Sequence, residues 1–196
     1  MPFQELSNED MVAVISYLRT LPSVHHKVPP SEYNFMGKIV KTLVLKPSLP
    51  NTEPPQKIAR DTTAAYGKYL AMSVANCHGC HTNRNMKTGE FIGKPFSGGL
   101  VFSPTPESLD YGFRTPNLTP DVSTGRIAEW PQETFLKRIH QGRLQKGSPM
   151  PWGPFSRMDE SDLKALYNFL HNIEPVKNEI AKTVFAPGEK MPEPAD

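Results

Sequence analysis

Cys77-His78-Gly79-Cys80-His81 decides how the rest of this chain is read. A Cys-x-x-Cys-His spacing sets two thiols one helical turn apart, where they reach both vinyl groups of one haem while the adjacent His meets the iron. The five residues therefore read as a c-type haem attachment site. Two other chemistries use paired cysteines. A redox-active dithiol calls for a βαβ pattern around the motif, and tetrahedral zinc calls for a second ligand pair at a workable distance. Both companions are missing. Cys77 and Cys80 are the only cysteines in 196 residues, and adding His78 and His81 would crowd four zinc ligands into five consecutive positions.

Outside the motif the chain is short of apolar core. Its hydrophobic fraction is 37%, and 21 prolines with 13 glycines make it rich in loops, so a haem would supply apolar surface for those loops to cover. The length suits one domain of ordinary size with a substantial appendage. A formal charge of +2 gives no electrostatic footprint for nucleic acid and marks no strongly charged partner. Haem attachment takes place outside the cytoplasm, which calls for an export signal. Met1-Pro2-Phe3-Gln4-Glu5-Leu6 has neither the basic nor the apolar part of one, and the run Phe35 to Leu45, interrupted by Lys38 and Lys41, is too short to span a bilayer. The expectation is a processed chain or a fragment of something longer.

An internal echo points to the fragment. Met1-Pro2-Phe3 is followed by Ser7-Asn8-Glu9-Asp10, by Met11, Val14, Ile15 and Leu18 at helical spacing, and by Leu21-Pro22. The same plan returns as Met150-Pro151-Trp152, then Asp159-Glu160-Ser161-Asp162, then Leu163, Leu166, Tyr167 and Leu170, and finally Glu174-Pro175. From Ser7 and Asp159 to Leu18 and Leu170 the offset is a constant 152. Each copy offers a helix N-cap with an acid three positions on, an apolar stripe, and a proline that stops it.

Between the copies, residues 25–56 read as a proline-rich linker with room for one short amphipathic helix between Ser31 and Lys46. Asp61 to Asn76 reads as a helix leading into the motif. Tyr66, Tyr69, Leu70 and Ser73 share one side, and Gly67 leaves a notch through which another helix can approach closely. From Thr82 to Trp130 glycines and prolines alternate and no period persists, so a long loop wrapped on the haem is expected there. Pro131 and Gly142 bracket one more short helix with Phe135, Leu136 and Ile139 on a face.

Cys77-His78-Gly79-Cys80-His81-Thr82, then Thr115-Pro116-Asn117-Leu118, then Met150-Pro151-Trp152 before a C-terminal helix, together resemble class I cytochrome c domains. The nearest look-alikes are the multi-haem cytochrome subunits of membrane-bound alcohol, aldehyde and sugar-acid dehydrogenases. The resemblance implies an all-α, cytochrome c-like fold with long haem-wrapping loops. It places the haem domain at residues 57–178, makes residues 1–24 the remnant of an upstream domain of the same kind with Met1 in its distal-ligand place, and leaves 179–196 as a C-terminal tail. Residue by residue, it implies one covalent haem c on Cys77 and Cys80, with His81 as the proximal iron ligand and Met150 as the distal one. The Pro116 carbonyl would accept the other ring N–H of His81, and Leu118 and Trp152 would form part of the haem wall.

From the residues alone, Met86, Met150, Met158 and His140 are all candidates for the distal place. Met86 lies five residues after His81, Met158 sits at a helix cap, and His140 shares a helix with apolar neighbours. Met150 is followed by Pro151, which stiffens a ligand loop. A His/Met pair leaves iron no open position, so the expected function is electron transfer, not catalysis, between redox partners: a dehydrogenase subunit and a terminal acceptor. No nucleic-acid partner is expected. The expected location is the periplasm or the extracytoplasmic face of a membrane, with any membrane association made through the full-length protein or its complex. The competing class is a haem enzyme or gas sensor in which the distal Met dissociates, and a third is a non-haem interaction domain.

Overall fold

Ser7 starts the first long helix, as its place before Asn8-Glu9-Asp10 predicts. Its hydroxyl accepts the Asp10 backbone N–H at 3.1 Å and donates to the Asp10 carboxylate at 2.8 Å, which satisfies one of the free donors of the first turn. Helix α1 then runs over Asn8–Thr20 behind a 3-10 turn at Pro2–Glu5. The structure, a computed structural model, describes residues 2–44 and 53–195, so the comparison of Met1 with a distal ligand lies outside the described residues, as do the ends of the linker helix at Leu45 and Lys46. Two units emerge, Phe3–Ile58 and Ala59–Asp196.

In the first unit, Asn8 and Glu9 donate their backbone N–H groups to the carbonyls of Pro55 and Gln56 at 2.9 and 3.1 Å, tying the start of α1 to the far end of the linker. Helix α2 covers Phe35–Ile39 and widens into a π turn over Val40–Val44, with Asn34 as its N-cap. Helix α1 buries none of its own residues.

The second unit begins with α3, Ala64–Tyr69, capped by Thr63 and extended by a π turn over Leu70–Val74. Tyr66, Gly67, Leu70, Ala71 and Ser73 are buried, and Tyr69 beside them is half-buried. Helix α4 is the motif itself, Cys77–His81; β1 (Val101–Phe102) and β2 (Gly112–Arg114) follow in the long loop. After them come α5 (Gln132–His140), α6 (Trp152–Phe155), α7 (Glu160–Asn172) and β3 (Val184–Phe185).

The core lies where α3 packs across α7. Gly67 makes the crossing. A Cβ at that position would lie 1.9 Å from the Ala165 carbonyl oxygen and 2.8 Å from Phe169 Cβ, so the notch expected from the sequence receives the backbone of α7 itself. Phe96 meets Phe169 edge to face at 5.4 Å and carries the loop onto the same core. Asp159 is the N-cap of α7, but its carboxylate makes no cap bond and reaches Arg60 instead; Asp162 also bonds that guanidinium, at 2.9 Å.

The all-α expectation needs correcting. β1, β2 and β3 form an antiparallel sheet in that order, with Val101 opposite Arg114 and Gly112 opposite Phe185. Strands of two and three residues are too short to show an alternating period in sequence. The third strand comes from the segment read as a tail.

Helices α1 and α7 are each 13 residues long and start 152 positions apart, at Asn8 and Glu160. On α7, Leu163, Ala165, Leu166, Phe169 and Leu170 are buried. Their counterparts Met11, Ala13, Val14, Tyr17 and Leu18 are all exposed.

Candidate haem-binding site

Asn76 shapes the motif before its chemistry starts. It adopts a left-handed conformation, φ 49° and ψ 40°, that few residues besides glycine and asparagine tolerate, and its side-chain oxygen accepts the Gly79 N–H at 3.1 Å. The one-turn helix α4 is thereby capped. A Cβ at Gly79 would come within 2.4 Å of the Asn76 side chain, so the glycine between the two cysteines is what lets the cap fold over the turn. Cys77 and Cys80 carry free thiols. Burial pushes the Cys77 thiol up to about 12 and raises Cys80 as well, the latter opposed by the positive Arg84. Both stay protonated and weakly nucleophilic at neutral pH.

His81 is held at two points. Its ring Nδ1 lies 3.1 Å from the Pro116 carbonyl oxygen, and its backbone carbonyl accepts the Gly98 N–H at 2.7 Å. A carbonyl can only accept, so Nδ1 carries the proton and Nε2 keeps its lone pair. Burial lowers the imidazole pKa by more than the Pro116 carbonyl raises it, and the ring is the neutral form that ligates metals. Thr82, fully buried, follows at once and accepts the Phe96 N–H at 3.0 Å.

The loop that carries Pro116 is fixed by Asn117, a residue that sequence reading quoted but gave no role. Asn117 is fully buried. Its amide donates to the Val176 carbonyl at 2.8 Å and the Thr124 hydroxyl at 3.1 Å, while its oxygen accepts the backbone and hydroxyl of Thr119 at 2.9 and 2.8 Å. All four bonds would be lost in Asn117→Ala, leaving the Thr119 and Val176 partners to find others. Chemical denaturation should show a loss of at least about 2 kcal/mol, since each net bond is worth about 0.5–1.5 kcal/mol and buried orphans add to that. Asn117→Asp should not recover it, because a carboxylate cannot donate to Val176.

Leu118 donates its backbone N–H to Phe96 at 2.8 Å and is half-buried. The structure thus joins Cys77, Cys80, His81, Pro116 and Leu118 through the Phe96 to Gly98 segment. Met150 and Trp152 belong to a separate loop that closes on itself. Trp152 donates its backbone N–H to the Met150 carbonyl at 2.8 Å and its indole N–H to the Ser148 hydroxyl at 3.1 Å, and the Arg138 guanidinium lies 4.0 Å above the ring. No hydrogen bond or ring contact among the described residues links that loop to α4. Of the other candidates, Met86 is 54% exposed, Met158 is half-buried at the start of α7, and His140 has its Nδ1 engaged by the Ser156 carbonyl at 3.0 Å.

The donor set fits a covalent haem. Two thiols share one helical turn, and one neutral imidazole presents Nε2 with its other nitrogen engaged. Among the described residues, Arg84 and Arg114 each hold a buried Nε–H without a partner, cationic donors suited to the two carboxylates that a haem carries. No group of three or more His, Cys, Asp or Glu among the described residues forms a cage for a free metal ion.

Residues 64–174 match the family described as cytochrome c. The chain is 31% identical over 115 residues to the cytochrome c subunit of the quinone alcohol dehydrogenase of Gluconobacter oxydans, a match covering 56% of this chain and 21% of that one. It is 31% identical over 137 residues to the fructose dehydrogenase cytochrome subunit of Gluconobacter japonicus, covering 67% and 26%. To a subunit of the nicotinate dehydrogenase of Pseudomonas putida it is 30% identical over 117 residues, covering 58% and 9%. The matched part is about a quarter or less of each of these relatives.

Proposed function

Because the chain belongs to the cytochrome c family, we propose that it carries one haem c in a six-coordinate site and passes electrons from a dehydrogenase partner to a respiratory acceptor. Haem-based electron transfer, without substrate catalysis of its own, is the family's part in such complexes. Bound here, a haem supplies one-electron exchange between ferric and ferrous iron. The chain's own residues do the rest. Cys77 and Cys80 would hold the haem through their sulfurs, and His81, through Nε2, and Met150, through its thioether, would be the protein's donors to its iron. The single observation that carries this reading is the bond from His81 Nδ1 to the Pro116 carbonyl, which fixes the tautomer, aims the ring and strengthens it as a donor.

Met150 stands between Pro149 and Pro151 on a loop pinned by the Arg138–Trp152 stack and the indole bond to Ser148. Such a loop holds one side chain in place at little entropic cost, as an axial ligand requires. Leu118 and Trp152, both half-buried, supply apolar wall. With His81 and Met150 both holding the iron, small molecules would find no open place on it.

The bare face of α1 suits a helix taken from a second domain of the same kind, since α7 buries the equivalent face against α3. Residues 1–24 are assigned on that ground to the end of an upstream cytochrome c domain, 25–56 to a linker, 57–178 to the haem domain and 179–196 to a tail. Relatives named as subunits of alcohol, fructose and nicotinate dehydrogenases make a dehydrogenase the proposed electron donor. The proposed location is the extracytoplasmic side of a membrane. No helix among the described residues is long and apolar enough to cross one.

The axial assignment is tested by two methionine variants. Met150→Ala should open the sixth position, so that CO binds the ferrous protein at once and the midpoint potential falls with the loss of a soft ligand. Met158→Leu should keep a six-coordinate spectrum and cost less than about 1.5 kcal/mol, as volume-conserving core swaps do. CO binding by the unaltered protein would favour a sensor or enzyme in which Met150 dissociates.

A further inference from the structure

The segment from Phe96 to Leu100 runs between the two pieces of backbone that define the orientation of His81. On one side, Gly98 donates to the His81 carbonyl at 2.7 Å. On the other, Gly99 donates to the Thr115 carbonyl at 2.9 Å and Thr115 donates back to Leu100 at 3.0 Å. Gly98 sits in the gap between them. Its φ of 75° lies in the left-handed region, and a Cβ there would sit 2.5 Å from the Pro116 carbonyl carbon and 2.6 Å from its oxygen. That oxygen is the one that accepts the His81 ring N–H.

We infer that Gly98 is a positioning residue for the haem iron: by gripping the His81 backbone and lying flush against the Pro116 carbonyl, it sets the distance and plane of the imidazole. The neighbouring Gly99 provides an internal contrast. It also has a positive φ, 99°, but a Cβ there would meet only the Asn83 side chain, at an ordinary 3.7 Å. Backbone strain from an added methyl is thus common to both glycines, and displacement of the ligand's hydrogen-bond acceptor belongs to Gly98 only.

The inference rests on His81 as the proximal ligand, and the experiment keeps the two apart. Holoprotein is prepared as wild type, Gly98→Ala and Gly99→Ala. The paramagnetic resonance spectrum of the oxidised haem, the exchange rate of the His81 Nδ1 proton and the midpoint potential are then measured. Gly98→Ala should change or split the low-spin signal, speed proton exchange about tenfold, as loss of one net hydrogen bond does, and raise the potential as the imidazole becomes a poorer donor. Gly99→Ala should match wild type in all three. Equal spectra, rates and potentials in Gly98→Ala and Gly99→Ala would overturn the inference while leaving His81 in place; a wild-type spectrum without histidine ligation would overturn the assignment of His81 itself. Should Gly98→Ala not fold, Pro116→Ala decides. It keeps both the carbonyl and the glycine against it, so wild-type exchange is expected, and a tenfold rise would hand the positioning role to the proline ring.

Discussion

Cys77→Ala combined with Cys80→Ala should abolish covalent haem completely. Wild-type protein matured with a haem-attachment system should carry its haem through denaturation in acid and organic solvent, because two thioethers hold it. The double variant should release every haem on the same treatment. Single variants should keep one bond, which separates loss of attachment from loss of folding. Two geometric facts support the expectation: the sulfurs lie one turn apart on α4, and the turn is capped from outside by Asn76, so removing them leaves the helix bonds intact. Freely extractable haem from the wild type would remove the basis of the functional reading. The acid step also has a built-in sign. His81 has its pKa lowered in the fold, so before haem is attached the unfolded chain binds the proton more readily, and folding weakens as pH drops below the ordinary histidine range.

Gly67→Ala should be strongly damaging, with a loss of about 3 kcal/mol or more in stability. Helix propensity alone predicts the opposite sign, a gain of about 0.8–1.0 kcal/mol for replacing glycine in a helix. Packing decides against it. The new Cβ would fall 1.9 Å from a backbone oxygen of α7, and a backbone atom cannot swing aside as a long side chain does. Relief requires α3 and α7 to part, which exposes Leu70, Ala71, Leu166 and Phe169, and overpacking of this kind lies at or beyond the upper end of the usual cost of about 1–3 kcal/mol. Denaturant midpoints of Gly67→Ala and of Gly153→Ala, whose Cβ would meet only the far end of the Arg157 side chain at 3.9 Å, give the comparison. Equal midpoints would mean that the α3–α7 crossing is not what Gly67 is for.

Gly67 was legible because a glycine amid helix formers is a cost that needs a reason, and close approach is the commonest one. The start of α1 was legible for a similar reason, since Ser7 sits where a free N–H needs an acceptor, whereas the caps Thr63 and Asn34 lie inside stretches read as helical from Asp61 and from Ser31 onward. The contact of His81 with Pro116 could be named only through the family resemblance, since 35 residues separate the two and no local period links them. Asn117 and Gly98 went unassigned. A buried asparagine in a loop and a glycine in a run of glycines look in sequence like ordinary turn chemistry, and only three-dimensional neighbours separate the structural ones. The sheet escaped notice because its longest strand has three residues.

That sheet has a consequence beyond geometry. β2 is the strand that runs directly into Thr115 and Pro116, and it lies in the middle, with β1 on one flank and β3 on the other. Met191 packs on Gly112, leaving no room for a Cβ there. Both outer strands are two residues long. An outer strand that short offers too few free N–H and C=O groups to template a neighbouring chain, and the one strand long enough to do so is shielded on both sides. The segment that looked like a trailing tail thus covers one edge of the strand that leads to the Pro116 carbonyl and its hydrogen bond with His81.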